Sequence, residues 1–363
     1  MPLEGLKKYA EKRNPDLNLI RLGSDDIAYT HASTGVFILN FALMGGWPEN
    51  CVITLVGKQH SGKTTLAYKA IAQHQRKYDG LEGRLKKYCV FVDGERGFSP
   101  AWAAANGVDV SELTVITPTN AEEAVDYVDA ALADPDVSLV VFDSIPSLVG
   151  GKELDKSAED ANAPGTVAVH ANRMMRKVSR TIALAHNLGQ KKTLIVINQW
   201  RDGIGSAPNM PRTMPGGKYL RHYASVEVEV YNTDKERVFS ADDNDVKIAM
   251  ENTHPFKIHK NRTGNSITEG EFTLSRNPDN PGYVDDVKTV VTYAQKFGLV
   301  GGAGTGWWLR DPDTETISDE TRFKSKGAVV DYVAERPELK LALERRIIGL
   351  HRKKQGLSSE NWW

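Results

Sequence analysis

The sequence predicts an α/β fold in which helices cover both faces of a mostly parallel central sheet. From residue 51 onward, near-continuous apolar runs alternate with helical segments, which is typical of parallel strands buried on both faces. The first of these runs ends in a glycine-bracketed loop that leads directly into a helix. The alternation predicts the sheet, and the loop predicts that a ligand binds at the edge where the strands end.

Five short apolar runs are the predicted parallel strands: CVITLVG (51–57), YCVFVDG (88–94), LTVIT (113–117), SLVVFDS (138–144) and TLIVINQ (193–199). Helices are predicted between them over 63–78, 121–133 and 170–188. Two later runs, 225–233 and 246–260, alternate apolar and polar residues, so we expect antiparallel strands that extend the sheet. The Pro/Asn/Gly-rich stretch SRNPDNPG (275–282) predicts a domain boundary.

Three parts of the chain follow from these patterns. Residues 1–30 contain a short helical arm with a narrow apolar stripe, which we expect to pack on a neighbouring subunit or to dock as a terminus. Residues 31–275 form the core, and residues 276–363 form a basic C-terminal domain. Between Thr321 and Lys354, ten Lys or Arg stand against four Asp or Glu, although the whole chain has a net charge of -1. This segregation indicates either a nucleic-acid contact or a solvated helix face.

Composition excludes several classes of protein. The 363 residues are enough for one large domain and a smaller one. No apolar run approaches the roughly 20 residues that cross a bilayer, and the polar N-terminus does not resemble a signal peptide. The two cysteines, Cys51 and Cys89, each open an apolar run, so we expect reduced core residues. The sequence therefore predicts a cytoplasmic protein with no membrane partner.

The segment GKQHSGKT (57–64) fits G-x-x-x-x-G-K-[ST] at every fixed position. Glycines let the backbone wrap around phosphates, so that amide groups and the helix N-terminus face the anion. We expect Lys63 to reach the β- and γ-phosphates of ATP, and the Thr64 hydroxyl to ligate Mg²⁺. The candidate nucleotide-binding residues of this loop are Gly57, Lys58, Gln59, His60, Ser61, Gly62, Lys63, Thr64 and Thr65.

Polar side chains follow three of the predicted strands, at the end where ligands bind in such sheets. Asp143 and Ser144 end one strand, and we expect Asp143 to hold Mg²⁺ through its water shell. Glu95, at the end of another, is placed to orient and deprotonate an attacking water. Gln199 is a neutral donor and acceptor suited to sensing the γ-phosphate. Together with the loop, these residues favour a hydrolysis site over surface or capping roles.

Two long polar loops follow these strand ends, over about 150–169 and 201–217. The second carries Arg201 and Arg212 and leads into Lys218, with few acidic residues to oppose them. A basic loop attached to a γ-phosphate sensor indicates an ATP-controlled DNA contact. The alternative is a lid over a small-molecule substrate.

Several segments resemble the RecA family of homologous-recombination DNA-dependent ATPases in its bacterial or phage-type form. The resemblance covers roughly residues 20 to 350 and rests on STGVFILNFALMGGWP, GKQHSGKTT, VDGERGFSPAWAAANGVD, LVVFDS, NRMMRKVSR, VINQWR and MPGGKYLRHYAS. It implies a RecA-like P-loop core with a mostly parallel sheet, an N-terminal helical arm for subunit packing and a small α+β C-terminal domain that captures duplex DNA.

The resemblance also implies roles for single residues. It assigns water activation to Glu95, γ-phosphate sensing to Gln199 and adenine stacking to Trp102, where the family more often has tyrosine. It assigns Lys260 and Arg262 to the ATP of the neighbouring subunit, with arginine in place of the family's second lysine. Ser99 stands where an acid is usual. The implied DNA-contacting residues are Arg201, Ile204, Arg212, Gly216, Gly217 and Lys218.

The leading hypothesis is a strand-exchange ATPase that forms helical filaments on single-stranded DNA and pairs it with homologous duplex DNA. Its partners would include a single-strand-binding protein or a loader. A hexameric helicase on the same core is an enzymatic alternative, and a nucleotide-switched scaffold that coats DNA with little turnover is another. A small-molecule kinase is the remotest, because no lid domain with phosphate-binding arginines is evident.

Overall fold

The computed structural model describes residues 4–15, 30–151, 166–200, 214–233, 238–241, 247–264, 267–277 and 280–357. Within these residues a nine-stranded sheet forms the centre of the molecule, preceded by a short antiparallel pair, β1 (His31–Ala32) and β2 (Trp47–Pro48). The strands of the large sheet are β3 (Val52–Gly57), β4 (Tyr88–Asp93), β5 (Leu113–Ile116), β6 (Val137–Asp143), β7 (Thr193–Gln199), β8 (Val226–Val230), β9 (Val238–Ala241), β10 (Lys247–Asn261) and β11 (Glu269–Ser275).

The order across the sheet is β11-β10-β8-β3-β7-β6-β4-β5, with β9 paired to β10. The six strands from β8 to β5 pair in parallel, which confirms the predicted fold class. The five predicted parallel strands differ from β3 to β7 by at most one residue at either end. These strands are easy to predict because their sequences are largely apolar and, except in the edge strand β5, nearly all their side chains are buried.

The prediction of antiparallel pairing is wrong for one side of β8, which runs parallel to β3 and antiparallel to β10. Its alternating sequence VEVEV has a different origin. The valines face the core, whereas Glu227 and Glu229 face the other side and are both buried. Glu227 accepts two hydrogen bonds from Arg221 Nε and one from Nη2, and His259 Nε2 lies 2.6 Å from Glu229 Oε2. Paired carboxylates, rather than solvent, produce the polar face of this strand.

Seven helices of the described residues belong to the arm and the core: α1 (Glu4–Arg13), α2 (Phe37–Ala42), α3 (Lys63–Lys77), α4 (Pro100–Ala105), α5 (Ala121–Ala133), α6 (Thr166–Asn187) and α7 (Gly217–Tyr223). Helices α2, α3 and α4 pack on one face of the sheet, and α5 and α6 pack on the other. Cys51 and Cys89 are buried free thiols, as predicted. None of the α1 residues is buried, and Leu6 and Tyr9 are exposed.

The chain after residue 285 forms three helices and a small antiparallel sheet, in the order α8 (Val287–Lys296), β12 (Val300–Ala303), β13 (Gly306–Leu309), β14 (Arg322–Phe323), α9 (Lys326–Ala334) and α10 (Pro337–Lys354). The predicted domain boundary at 275–282 lies partly outside the described residues, and beside it the Ser275 amide donates to the Tyr283 carbonyl oxygen at 2.8 Å. Among the described residues, no helix combines the length and apolarity that a membrane crossing needs.

Helix α2 joins the C-terminal part to the core. Phe41 is buried, stacks on His351 with ring centroids 4.2 Å apart, and meets Tyr293 edge-on at 4.7 Å. At the start of the helix, the Phe37 amide donates to Asp286 Oδ2 (2.9 Å), and Lys340 Nζ lies 2.6 Å from the other oxygen of that carboxylate. An aromatic cluster and a buried ion pair therefore fix the C-terminal helices to the core.

We predict that Phe41→Ala lowers the free energy of unfolding by about 3–5 kcal/mol, because it removes a buried ring from four aromatic neighbours. Chemical denaturation followed by circular dichroism measures the change. The control is Tyr127→Ala, whose ring is 46% exposed and whose removal should change stability by about 0.5 kcal/mol or less. Equal effects of the two substitutions would contradict the structural role of Phe41.

Candidate active site

The carboxyl ends of four parallel strands meet at one edge of the sheet. Gly57 at the end of β3 is the register partner of Gln199 on β7, and Asp93 on β4 is the partner of Asp143 on β6. A cavity of about 320 Å³ opens at this edge. Its lining includes residues 59–65, Glu95, Trp102, Asp143 and Gln199. The structure thus brings together the loop and the strand-end residues that the sequence singles out.

The phosphate loop needs glycine at both fixed positions. A Cβ on Gly57 would lie 2.3 Å from the Val230 carbonyl oxygen, and Gly62 has a φ of +92° just before α3. Lys63 is buried, and its ammonium donates to the Lys58 carbonyl oxygen at 2.6 Å. Burial lowers the pKa of Lys63, while the nearby carboxylates of Asp143 and Glu95 oppose the shift. The Lys63 ammonium is therefore bonded to its own loop and lies close to the carboxylates of Asp143 and Glu95.

Thr64 and Asp143 form the part of the cavity that fits Mg²⁺. The Thr64 hydroxyl donates to Asp143 Oδ2 at 2.9 Å, which sets two hard oxygen ligands side by side. Mg²⁺ is commonly bound by one or two protein oxygens and completes its shell with phosphates and water. Among the described residues, no group of three or more His, Cys, Asp or Glu is placed to hold a metal ion. Burial raises the pKa of Asp143 to about 6.

Glu95 lies at the centre of a hydrogen-bond network. Its Oε1 accepts from Gln199 Nε2 at 2.9 Å and from the Ser144 hydroxyl. The backbone amides of Gly94 and Glu95 both donate to the Asp143 carbonyl oxygen, at 2.7 and 3.2 Å. The candidate base, the candidate sensor and the candidate Mg²⁺ residue are therefore mechanically connected.

Trp102 forms one wall of the cavity. Its indole Nε1 donates to Thr65 Oγ1 at 3.3 Å, so the ring is anchored to the first turn of α3. Ser99, where the resemblance predicts an acid, is the N-cap of α4 and accepts from the Trp102 amide at 3.3 Å. The departure from the family pattern at this position thus preserves the helix that carries the indole.

The described ends of the two long loops converge beside α6. The Gly151 amide donates to Glu122 Oε2 at 3.0 Å, close to His170 on α6. Gly216 (φ +87°) and Gly217 (φ +67°) begin α7, and a Cβ on Gly216 would meet Ala171 of α6 at 3.3 Å. The candidate DNA contacts Arg201, Ile204 and Arg212 lie outside the described residues, as does the side chain of Lys218.

Gln199 is also connected to the second loop. The neighbouring Asn198 is fully buried, and its Nδ2 donates to the Pro215 carbonyl oxygen at 2.9 Å. The same side chain accepts from the Gln199 amide at 2.9 Å. One buried amide therefore joins the end of β7 to the residues that precede α7.

Lys260 and Arg262 do not line the cavity of their own chain. Lys260 Nζ donates to the carbonyl oxygens of Arg221 and His222, and Arg262 Nη2 donates to that of His222 at 3.1 Å. The two cations thus lie at the C-terminal end of α7, where the helix dipole is negative. Burial lowers the pKa of Lys260, and the adjacent Arg262 lowers it further.

Among the cavity residues that sequence reasoning missed are His254 on β10 and Arg276, which follows the last residue of β11. The His254 ring packs close to Gly62: a Cβ added to that glycine would lie 3.5 Å from His254 Nδ1, which is ordinary van der Waals contact. Burial lowers the pKa of His254, so the ring is neutral near pH 7, and its Nδ1 lies 3.2 Å from the Tyr231 carbonyl oxygen. No motif marks either residue, since each reaches the loop only through sheet pairing.

A basic face of α6 was also missed. Arg173, Arg176 and Arg180 are exposed and follow the spacing of one helix face, and none has an ion pair within the described part of the chain. Lys177 on the same helix is different, because it pairs with Asp126 (2.6 Å) and Asp129 (3.7 Å). The arginine spacing in NRMMRKVSR was the available signal.

The parallel sheet, the phosphate loop and the acids at the strand ends define a P-loop ATPase. Within that class, the model of the RecA N-terminal domain matches residues 4–276. The chain belongs to the RecA family.

Similar proteins agree with this assignment. Protein RecA of Paracoccus denitrificans is 29% identical over 337 residues, which cover 92% of this chain and 85% of that protein. Protein RecA of Streptococcus pyogenes serotype M5 (strain Manfredo) is 30% identical over 333 residues, covering 91% and 79%. Protein RecA of Deinococcus radiodurans is 28% identical over 333 residues, covering 91% and 83%.

We predict that Glu95→Gln retains ATP binding and lowers the hydrolysis rate at saturating ATP by at least about 100-fold. The amide still offers an oxygen to Ser144 and Gln199 but does not take a proton from water. Phosphate release and binding of a fluorescent ATP analogue separate the two effects. Glu112→Gln, at a half-buried ion pair with Lys86 outside the cavity, is the control. Hydrolysis by Glu95→Gln at the wild-type rate would rule out this base.

Proposed function

We propose that this protein is a DNA-dependent ATPase that exchanges strands between single-stranded DNA and homologous duplex DNA, working as a helical filament with ATP at its subunit interfaces. Family membership supports this function over a ring helicase and over a scaffold with little turnover. The observation that carries it is the contact of Glu95 with Gln199 beside the phosphate loop. Glu95, the candidate base, is hydrogen-bonded to Gln199, the candidate γ-phosphate sensor. This contact fits an enzyme in which ATP hydrolysis is coupled to a conformational change.

Each cavity residue has a distinct task in the proposed hydrolysis. The amides of the loop and Lys63 bind the phosphates and neutralise the charge that develops during transfer. Trp102, whose indole is bonded to the first turn of α3, stacks on the adenine ring of ATP. Glu95 orients the water and accepts its proton, and Ser144 fixes the carboxylate. Thr64 and Asp143 would hold Mg²⁺, which when bound supplies charge neutralisation and orientation of the phosphate oxygens.

The connection to DNA runs through Gln199. A γ-phosphate that accepts a hydrogen bond from the Gln199 amide competes with Glu95 for the same donor. A shift of Gln199 is transmitted to Asn198 and then to Pro215, at the end of the second loop. The loop ends lie beside α6, whose Arg173, Arg176 and Arg180 are exposed cations. We assign this helix face and the two loops to the phosphate backbone of single-stranded DNA.

The neighbouring subunit completes the site in this proposal. Lys260 and Arg262 lie outside the cavity of their own chain, and within the described residues their side chains donate to carbonyl oxygens of α7. Two adjacent cations at a surface are suited to an anionic partner such as a triphosphate. The exposed Leu6 and Tyr9 of α1 provide an apolar stripe that would pack on the next protomer.

We predict that single-stranded DNA stimulates phosphate release by the wild-type protein. Arg176→Ala/Arg180→Ala should require roughly 10-fold more DNA for half-maximal stimulation, because two phosphate contacts are lost. Lys177→Ala is the matched control, since its charge is already neutralised by two aspartates. Lys63→Ala should release no phosphate. Wild-type turnover that is independent of DNA, or closed rings in electron microscopy with DNA and a non-hydrolysable ATP analogue, would contradict the proposed function.

A mixing experiment tests whether the site is shared between subunits. Glu95→Gln and Lys260→Ala/Arg262→Ala should each be inactive alone, yet an equal mixture should recover about a quarter of wild-type hydrolysis, because that share of head-to-tail interfaces is intact. A mixture of Glu95→Gln with Lys63→Ala is the control, since both residues line the same cavity and no interface is intact. No recovery in the first mixture would place all these residues in one subunit's site.

A further inference from the structure

The strand that carries Lys260 contains a β-bulge directly before this lysine. Ile258 is the register partner of Val228, and both side chains belong to the core. Two residues later Lys260 is the partner of Glu227, so His259 is the additional residue. Regular alternation would turn Lys260 to the same apolar face as Ile258. The bulge turns it instead to the polar face of the sheet, on the side of Glu227.

A buried carboxylate is bonded to the bulged residue. Glu229 on β8 is buried, and its Oε2 lies 2.6 Å from Nε2 of His259. Backbone pairing is locally disrupted at a bulge, so this side-chain bond is a further connection between β8 and β10 at that point. The pair fixes the additional residue and thereby the side of the sheet to which Lys260 is turned.

The second buried carboxylate of β8 holds the end of α7. Glu227 accepts from Arg221 Nε with each of its two oxygens at 3.1 Å and from Nη2 at 2.7 Å. The carbonyl oxygens of Arg221 and His222 in turn accept from Lys260 Nζ. Arg262 Nη2 donates to the His222 carbonyl oxygen at 3.1 Å. Glu227 therefore determines where the two carbonyl groups lie that bind both cations.

Stability alone does not account for two buried carboxylates on one strand. Desolvation offsets most of the attraction in a buried ion pair, and apolar side chains of similar volume often replace such a pair without loss of stability. The other face of β8 is apolar, with its valines in the core. An ion pair adds direction instead, because a guanidinium fork or an imidazole meets a carboxylate in few orientations. This property suits groups that fix the position of other charges.

We propose that Glu227 and Glu229 are positioning residues of the shared ATP site. They hold the end of α7 and the bulge of β10 in the arrangement in which Lys260 and Arg262 reach the ATP of the neighbouring subunit. This inference rests on the proposed function, because it takes that ATP as the ligand of the two cations. Neither carboxylate is part of the cavity lining of its own chain. The carbonyl oxygens that bind the cations are neutral, so the cations keep their charge for the triphosphate.

The first test removes one carboxylate oxygen at a time. Glu227→Gln keeps the size of the side chain but leaves one acceptor oxygen for Arg221. We expect hydrolysis with single-stranded DNA and saturating ATP to fall about 10- to 100-fold, as a small displacement of catalytic groups does. Glu229→Gln should lower it in the same direction. Binding of a fluorescent ATP analogue without DNA should stay at the wild-type value, and thermal melting checks that both variants fold.

Glu269→Gln is the matched control for both substitutions. Glu269 pairs with Lys257 at 2.7 Å on the same face of β10, before the bulge, and both side chains are exposed. This ion pair has no bond to α7 or to the bulged residue, so hydrolysis should stay at the wild-type rate. An equal loss in the control would contradict a specific role of the two buried carboxylates.

The mixing experiment assigns the defect to one side of the interface, which a loss of stability would not do. Glu227→Gln mixed equally with Glu95→Gln should recover about a quarter of wild-type hydrolysis, because intact cavities then meet correctly placed cations. Mixed with Lys260→Ala/Arg262→Ala, it should not exceed the rate of Glu227→Gln alone, since both variants lack those cations in the required position.

Arg221→Lys tests the same bond from its other partner and replaces Glu227→Gln if that variant does not fold. Lysine keeps the charge but not the planar fork, so we expect the same loss of hydrolysis. Hydrolysis by either variant at the rate of the control would overturn the inference, as would recovery with the doubly substituted variant but not with Glu95→Gln. If those last two variants recover nothing when mixed with each other, the shared site fails and the inference fails with it, so the two failures are distinguishable.

Discussion

The parallel register of the central strands is the constraint on which the site depends. Gly57 faces Gln199 across one pair of strands and Asp93 faces Asp143 across another, so the chemical groups meet at one edge without any long loop to position them. A slip of one residue would turn every side chain of a strand to the opposite face. The buried apolar residues on both faces of the sheet therefore fix the geometry of the site as well as the stability of the fold.

The same edge explains why the site is suited to switching. Glu95 is bonded to Gln199 and Ser144, while its own backbone amide is bonded to the carbonyl of Asp143. A hydrogen bond to a charged group contributes about 1.5–3 kcal/mol, and exchange of the Gln199–Glu95 bond for a bond to a γ-phosphate changes a two-state equilibrium by the difference between two such contributions. Binding energy at the phosphate is in this way available to move the end of β7.

Much of the fold and part of the site could be predicted from the sequence, and the limits have a physical reason. The strands β3 to β7 and the phosphate loop are visible because burial on both faces and tight turns impose local composition. The parallel pairing of β8 could not be predicted. Its buried carboxylates, which pair with cationic side chains, give the sequence the alternating pattern that is typical of a half-exposed strand. His254 and Arg276, which lie 190 and 212 positions after Thr64, come to the cavity through strand pairing that no local pattern encodes.

Helix α7 relates the two ends of the proposed mechanism. It begins at Gly217, directly after the residues held by Asn198, and its last carbonyls bind Lys260 and Arg262. Seven residues of helix span about 10 Å and move as one rigid unit. If DNA orders the second loop, we expect the displacement to pass along α7 to Lys260 and Arg262, the cations that we propose for the neighbour's ATP site. The DNA contact and the completion of the neighbour's ATP site would then be one event, since a short helix with both ends bonded cannot shift at only one of them.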